Sequence, residues 1–303
     1  MKRRDIIDLL LLAMLWGGSF LFMRLSVPEF GPMPMVEMCV AVAALVLLPL
    51  LLRRHRGDTL SMLKTNWRGL AFVGITNTAI PFSLFAYAML SITSGFGAIL
   101  NVTAPLFGAI VAAVWLRERL PWLRVVGLLI GFGGVALLVW GKPTFTIGGD
   151  ALAIAAALAA SLSYGFSPSY MKRHLTHVPS LAIATGSQVV AAIVVLPLAV
   201  MHWPASTPSP SAWAAAIVLG LGCTGIAYIL YFRLIRNIGP TRAIAVTFLI
   251  PGFGMLYGAV LLQEPVTTAM IIGCAVILAG TALSIGAIPS KVAPPAPRYH
   301  VAE

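Results

Sequence analysis

The sequence predicts an all-α integral membrane protein whose ten transmembrane helices form two inverted five-helix repeats. Three observations predict it. Of 303 residues, 59% are hydrophobic and only 10% charged, a balance foreign to soluble domains. The basic residues sort to one side of the spans drawn below. The chain is also written twice, segments of its first half recurring 146 to 148 residues later.

A hydrocarbon core about 30 Å thick takes roughly 20 apolar residues per helical crossing. Apolar runs between charge and turn clusters place helices over 6–25, 33–52, 67–90, 95–116, 122–140, 150–171, 179–201, 212–235, 241–262 and 267–288. The first run follows Lys2-Arg3-Arg4 as a signal peptide would. It continues through Trp16 and Phe20 to Leu25 without a small-residue cleavage site, so it is read as a helix. Ten such runs leave only short loops, which excludes a sizeable extramembranous catalytic domain and any nucleic-acid module. Cys39, Cys223 and Cys274 all lie in apolar runs and offer neither a disulfide framework nor a CxxC pair.

With the N-terminus inside, every Lys and Arg except Arg24 and Lys142 falls on the inner side. The positive-inside rule then predicts a multi-pass protein with an even number of spans and both termini cytoplasmic. The net charge of +11 is spread over six segments, which fits a lipid surface and not a nucleic-acid partner.

The duplication is read residue by residue. Ala43-Ala44-Leu45-Val46-Leu47-Leu48-Pro49-Leu50 returns as Ala191-Ala192-Ile193-Val194-Val195-Leu196-Pro197-Leu198. Trp16-Gly17-Gly18-Ser19 answers to Tyr164-Gly165-Phe166-Ser167, Pro105 and Glu118 to Pro251 and Glu264, and Gly127 to Gly273. Each copy holds five spans, an odd number, so the second enters the membrane from the opposite side, an architecture of many secondary transporters. The repeats are placed at 1–142 and 149–288, joined by a Pro/Gly connector from Lys142 to Gly149. Residues 289–303 read as a disordered Pro-rich tail.

Proline in a helix cannot donate to the carbonyl four residues earlier. In four spans the residue at that earlier position is polar: Asn77 before Pro81, Asn101 before Pro105, Tyr164 before Pro168, Thr247 before Pro251. Exposed carbonyls beside uncharged donors at mid-membrane are what a polar solute needs there. The competing reading is that membrane helices tolerate proline and that Asn or Thr joins helix pairs. Pro49 and Pro197 follow Leu45 and Ile193 and are read as simple kinks. Polar and aromatic residues gather on helices 1, 3, 4, 6, 8 and 9, expected to wall a central cavity: Trp16, Ser19, Asn77, Thr78, Tyr87, Asn101, Tyr164, Thr224, Tyr228 and Thr247. Pro81, Pro105, Pro168 and Pro251 are the expected kinks or gating points. Without a fixed charge, such a lining suits an amphipathic zwitterion or a neutral metabolite.

Glu37 stands in an apolar run near the outer end of helix 2, as a candidate proton carrier or as a carboxylate reaching the interface. Glu118 and Glu264, which close helices 4 and 9, are read as fixing helix ends or gates. Glycine runs at Gly127, Gly131 and Gly134 and at Gly254 and Gly258 are read as packing seams. No catalytic motif, metal cluster, P-loop or paired intramembrane carboxylate is present, so no enzyme, cofactor or metal is expected.

Trp16-Gly17-Gly18-Ser19-Phe20, Pro105 with Glu118 in Leu116-Arg117-Glu118-Arg119-Leu120, and Pro251 with Glu264 in Leu262-Gln263-Glu264-Pro265 together resemble the EamA-type branch of the drug/metabolite transporter superfamily. The likeness spans the chain from helix 1 to helix 10. It implies a ten-helix inner-membrane exporter of amino acids or other small metabolites, and the aromatic lining looks like that of aromatic amino acid exporters. Many members carry an arginine in helix 2. Here that region reads Val36-Glu37-Met38-Cys39, so an arginine grip on a substrate carboxylate is not implied. The expectation is a secondary transporter working by alternating access, with a small-molecule substrate and membrane lipid as its partners. A monomer suffices, and a dimer is left open. A facilitator for another neutral metabolite or drug is the alternative, and a membrane-embedded enzyme or sensor a remoter one.

Overall fold

A computed structural model describes residues 3–54, 59–118, 120–140, 149–243 and 245–286. The connector and Lys142 lie outside these residues, as does the tail from Pro289. Among the described residues there is no strand, as expected where lipid leaves each segment to satisfy its own backbone. Among the described residues ten helices carry the fold: α1 (Arg3–Phe30), α2 (Pro32–Arg54), α3 (Trp67–Ala88), α4 (Ser94–Trp115), α5 (Trp122–Trp140), α6 (Gly149–His174), α7 (Ser180–Met201), α8 (Pro210–Ile238), α9 (Val246–Leu261) and α10 (Thr268–Ser284). The first eight are long and apolar enough to cross a membrane, and α9 and α10 are shorter apolar helices. Short segments at Thr59–Thr65 and Pro240–Ala243 precede α3 and α9. Below, the side on which α1 begins is the near side and the opposite one the far side.

Packing repeats the duplication. Three contacts pair a helix with its own copy: α5 with α10, α2 with α7, and α4 with α9. The most extensive of the others come as mates under exchange of the halves: α1–α9 with α6–α4, α2–α8 with α7–α3, and α1–α8 with α6–α3. Five spans separate each helix from its copy, so the copies run oppositely and relate by a pseudo-two-fold in the membrane plane.

Close approach underlies these contacts, because lipid tails give no hydrophobic drive for one helix to prefer another. A Cβ on Gly17 of α1 would lie 2.5 Å from Phe253 Cβ of α9. At the matching place a Cβ on Gly165 of α6 would lie 2.9 Å from Gly108 N of α4. In the α5–α10 seam a Cβ on Gly127 would stand 2.6 Å from Ser284 N. Any side chain at these positions would force the backbones apart.

The spans of α3 and α8 are not uniform α-helix. Each contains a widened π-helical stretch, Ile75–Ala79 in α3 and Leu219–Ile226 in α8, at corresponding places in the two copies. Such bulges release carbonyls and turn side chains out of register. Span α4 is interrupted at Val102–Thr103, between Ser94–Asn101 and Ala104–Trp115.

Candidate functional site

The prolines shape the spans in different ways. Pro81 and Pro105 stand in the first two positions of regular helical segments, Ile80–Ala88 and Ala104–Trp115, where a missing N–H costs nothing. Ahead of Pro81 the chain widens, with Ile80 N–H donating to Ile75 O. Ahead of Pro105 it tightens, with Val102 and Thr103 donating to Ile99 and Leu100 at 3.1 and 3.0 Å. Pro168 and Pro251 remain inside continuous helices.

Carbonyls at these irregular turns are capped by hydroxyls. Ser161 Oγ donates to Leu100 O at 3.1 Å, Thr281 Oγ1 to Val102 O at 3.4 Å, and Ser163 Oγ to Thr76 O at 2.7 Å. Thr224 Oγ1 donates to Leu219 O at 3.1 Å inside the π-helical stretch of α8. The first three of these bonds join α6 and α10 to α4 and α6 to α3, while the fourth stays within α8.

Between the helices lies a cavity of about 460 Å3. Of the residues expected to form it, Trp16, Ser19, Asn77, Asn101, Tyr164, Thr224, Tyr228 and Thr247 line it, with Pro105 and Pro168. Its floor, toward the far side, is Phe20, Met23 and Phe85, all buried. Its wall continues to Met171, Ser180, Ile235 and Val246, at the near-side ends of α6, α7, α8 and α9. The cavity is therefore open toward the near side.

Two expected residues point elsewhere. Thr78 is fully buried, its Oγ1 without a partner, and is not in the wall. It follows Asn77, and neighbours on a helix diverge by roughly a quarter turn or more. Tyr87 is 37% exposed on the outer surface, since it stands two residues beyond Phe85 and so on the opposite face of α3. Pro81 and Pro251 are buried outside the wall. Glu37 is half-buried with Oε2 unpartnered, on α2, which contributes nothing to the cavity.

Sequence reading missed α7 as a wall. Ser180, Ile183, Ala184 and Ser187 line the cavity, while the corresponding face of α2 does not. Tyr231 was missed as well, although its first-half mate Phe85 also lines the cavity. Trp16 meets Tyr231 at 5.2 Å between ring centroids, and the mates Tyr164 and Phe85 meet at 6.3 Å. Asn77 Nδ2 donates to Tyr228 OH at 3.4 Å, joining α3 to α8. Among the described residues, no Asp, Glu, Lys, Arg or His lines the cavity.

Acids lie nearby at the near-side end of α1, also unnoticed in sequence. Asp5 and Asp8 are 4% and 3% exposed. Arg233 of α8 pairs with Asp8, and Asn237 Nδ2 donates to Asp5 Oδ1 at 3.1 Å. Their spacing, three apart on α1 and four apart on α8, was the available signal.

Glu118 and Glu264 are set by one local device. Arg117 and Gln263 each adopt φ 54°, the left-handed conformation that ends a helix. The next N–H then returns to the carbonyl six residues back, Glu118 to Ala112 at 3.4 Å and Glu264 to Gly258 at 3.0 Å.

The family model described as "EamA-like transporter family" matches this chain twice, over residues 5–140 and 151–286. An "Uncharacterized transporter" of Archaeoglobus fulgidus is 24% identical over 269 residues, covering 88% of this chain and 92% of its own length. The "Uncharacterized inner membrane transporter YedA" of Escherichia coli is 28% identical over 254 residues, 82% of this chain and 79% of its own. A "Probable terminal-alkyne amino-acid exporter" of Streptantibioticus cattleyicolor is 25% identical over 284 residues, 91% of each. A solved crystal structure, 19% identical, superposes with a TM-score of 0.66 over 94% of this chain and 97% of that one.

Proposed function

The chain belongs to the EamA-like transporter family, and from that premise we propose that it exports small amphipathic metabolites by alternating access. Amino acids with aromatic or other apolar side chains are the class its cavity favours. The observation that carries this is the lining. Aromatic rings from α1, α3, α6 and α8 stand beside the amides of Asn77 and Asn101 and the hydroxyls of Ser19, Thr224, Tyr228 and Thr247, with no fixed charge. A net-neutral zwitterion brings apolar surface for the rings and polar ends for the amides, and leaves no lone charge to desolvate. A volume of about 460 Å3 lies in the range of small-molecule sites. The exporter from Streptantibioticus cattleyicolor, named for an amino-acid substrate, supports the same class.

The remaining parts of the proposal rest on charge and duplication. The sorting of basic residues supports a reading with both termini in the cytoplasm, and the Escherichia coli relative, named for the inner membrane, supports a bacterial inner membrane as its place. Both repeats and the cavity lining come from one chain, which supports a reading in which a monomer in contact with lipid suffices and a dimer is left open. Glu37 is the proposed proton carrier, and no nucleotide-binding motif offers another energy source. The test is counterflow in proteoliposomes. Radiolabelled phenylalanine should accumulate against an internal pool of unlabelled phenylalanine, and a panel of neutral metabolites should compete in order of apolar surface. Counterflow with another neutral metabolite but not with any amino acid would replace the substrate class. No counterflow with any solute would sink the transport reading.

A further inference from the structure

At the far side, polar side chains tie helices together across the closed end of the cavity. Glu264, at the end of α9, accepts from Ser94 N–H at 2.9 Å and from Ser94 Oγ at 2.6 Å, where α4 begins. Arg24 of α1 stands 3.6 Å from the other oxygen of Glu264. Its Nη1 also donates to Leu90 O at 3.1 Å and to Met89 O, in the turn between α3 and α4. The latch thus fastens the α1–α9 pair onto the α3–α4 turn, above the floor made by Phe20 and Phe85. The Glu264 side chain is 12% exposed, and charge-assisted bonds are strong where water is excluded.

The inverted repeat puts a second latch on the near side. Lys172 is the mate of Arg24 and Glu118 that of Glu264, and Lys172 Nζ lies 2.6 Å from Glu118 Oε1. The surfaces they would grip, by symmetry, are the carbonyls of Ile235 and Arg236 and the start of the segment at residue 240. Neither grip is made among the described residues. The two side chains are 67% and 38% exposed, and Ile235 borders the open cavity instead. The mate of Ser94 is Pro240, which has neither a backbone N–H nor a hydroxyl to offer a carboxylate. The near-side latch therefore lacks, by sequence, the two donors that Ser94 gives its far-side counterpart.

We infer that Arg24, Glu264 and Ser94 form a gate that holds the protein open to the near side at rest, and that the Ser94/Pro240 difference sets this bias. The inference rests on the alternating-access reading. Its residues are positioning residues, outside the cavity wall.

The test is accessibility of one cysteine in the wall, Ser19→Cys, in the full chain with Cys39, Cys223 and Cys274 replaced by Ala. A membrane-impermeant maleimide is applied to vesicles of each orientation. The unmodified gate should label mainly from the near side. Glu264→Gln, and separately Ser94→Ala, should raise the far-to-near labelling ratio by at least about tenfold, the effect of losing one to two charge-assisted bonds. Pro240→Ser, which leaves the far-side latch untouched and gives the near-side one its missing donors, should raise that ratio too. An unchanged ratio in both Glu264→Gln and Pro240→Ser, or dominant far-side labelling of the parent, overturns the inference. Labelling needs no substrate. A shifted ratio without counterflow would leave the gate standing and remove the transport reading, while counterflow with an unshifted ratio would do the reverse.

Discussion

Asn101 illustrates what one side chain contributes when lipid and protein surround it. Its amide opens onto the cavity from the broken part of α4, and its repeat mate Thr247 lines the same space from α9. A hydrogen bond to substrate stabilises by about 0.5 to 1.5 kcal/mol, and a buried group left unpaired costs about 1 to 3. Asn101→Ala should therefore weaken apparent affinity roughly 5 to 150-fold, since 1.4 kcal/mol is a factor of ten. Competition binding on the purified protein measures it. Leu45→Ala serves as the control, because Leu45 is 72% exposed on the outer surface and should leave affinity unchanged. Unaltered affinity in both Asn101→Ala and Thr247→Ala, at normal protein levels, would reduce these residues to helix joining. Glu37→Gln separates coupling from binding: pH-gradient-driven accumulation should vanish while substrate-for-substrate exchange persists. A variant that still accumulates substrate would leave Glu37 as an interfacial carboxylate. Which side chains face the cavity was only partly legible. Asn77 and Tyr164 stood out as polar groups beside proline, but Thr78 and Tyr87 looked as plausible until helix rotation turned them away.

Among the elements, α3 and α4 show how proline acts on a span. The turn before Pro105 is tightened and tied to α6 and α10 through Ser161 and Thr281. Pro105→Ala restores the missing donor and lets α4 run on as one helix, which would rotate Asn101 relative to the wall. Transport should slow several-fold with substrate binding largely kept, read as a fall in maximal exchange rate at nearly constant half-saturation. Half-saturation rising while the maximal rate holds would instead place Pro105 in recognition alone. Helix existence was legible because apolar runs of about twenty residues have one physical use. The π-helical stretches were not. They arise where Gly74 and Gly220 allow α7 and α2 to approach, with Val190 Cβ 2.7 Å from a Cβ built on the first and Cys39 O 2.7 Å from one built on the second. Nothing in local composition marks that. Hydrophobic patterning gave no help with the faces either, because a span apolar toward both lipid and core carries no amphipathic stripe.

Over the whole molecule, inversion makes a prediction that does not depend on substrate. Glu118 and Glu264 are mates in sequence and in local geometry, and an odd number of spans puts them on opposite membrane faces. Single-cysteine labelling at each should give opposite sidedness, Glu118 on the cytoplasmic face. The same sidedness for both would end the inverted-repeat account. The duplication itself was legible from constant spacing between matched residues. The departure from symmetry was not, although its chemical root, serine at position 94 and proline at 240, stood in the sequence. Its meaning needed the Arg24–Glu264 contact to be seen.

The self-paired contacts carry a consequence for ancestry and assembly. Where α5 packs on α10, α2 on α7 and α4 on α9, each surface meets its own descendant, as in a homodimer with a two-fold axis. A single five-helix chain able to insert in either orientation would have found the same partners in a second copy of itself. Fusion frees each copy to change alone, so one latch can carry a serine where the other has proline. The two halves, made as separate polypeptides, should still recognise one another, because most of what binds them was built for association and not for connection.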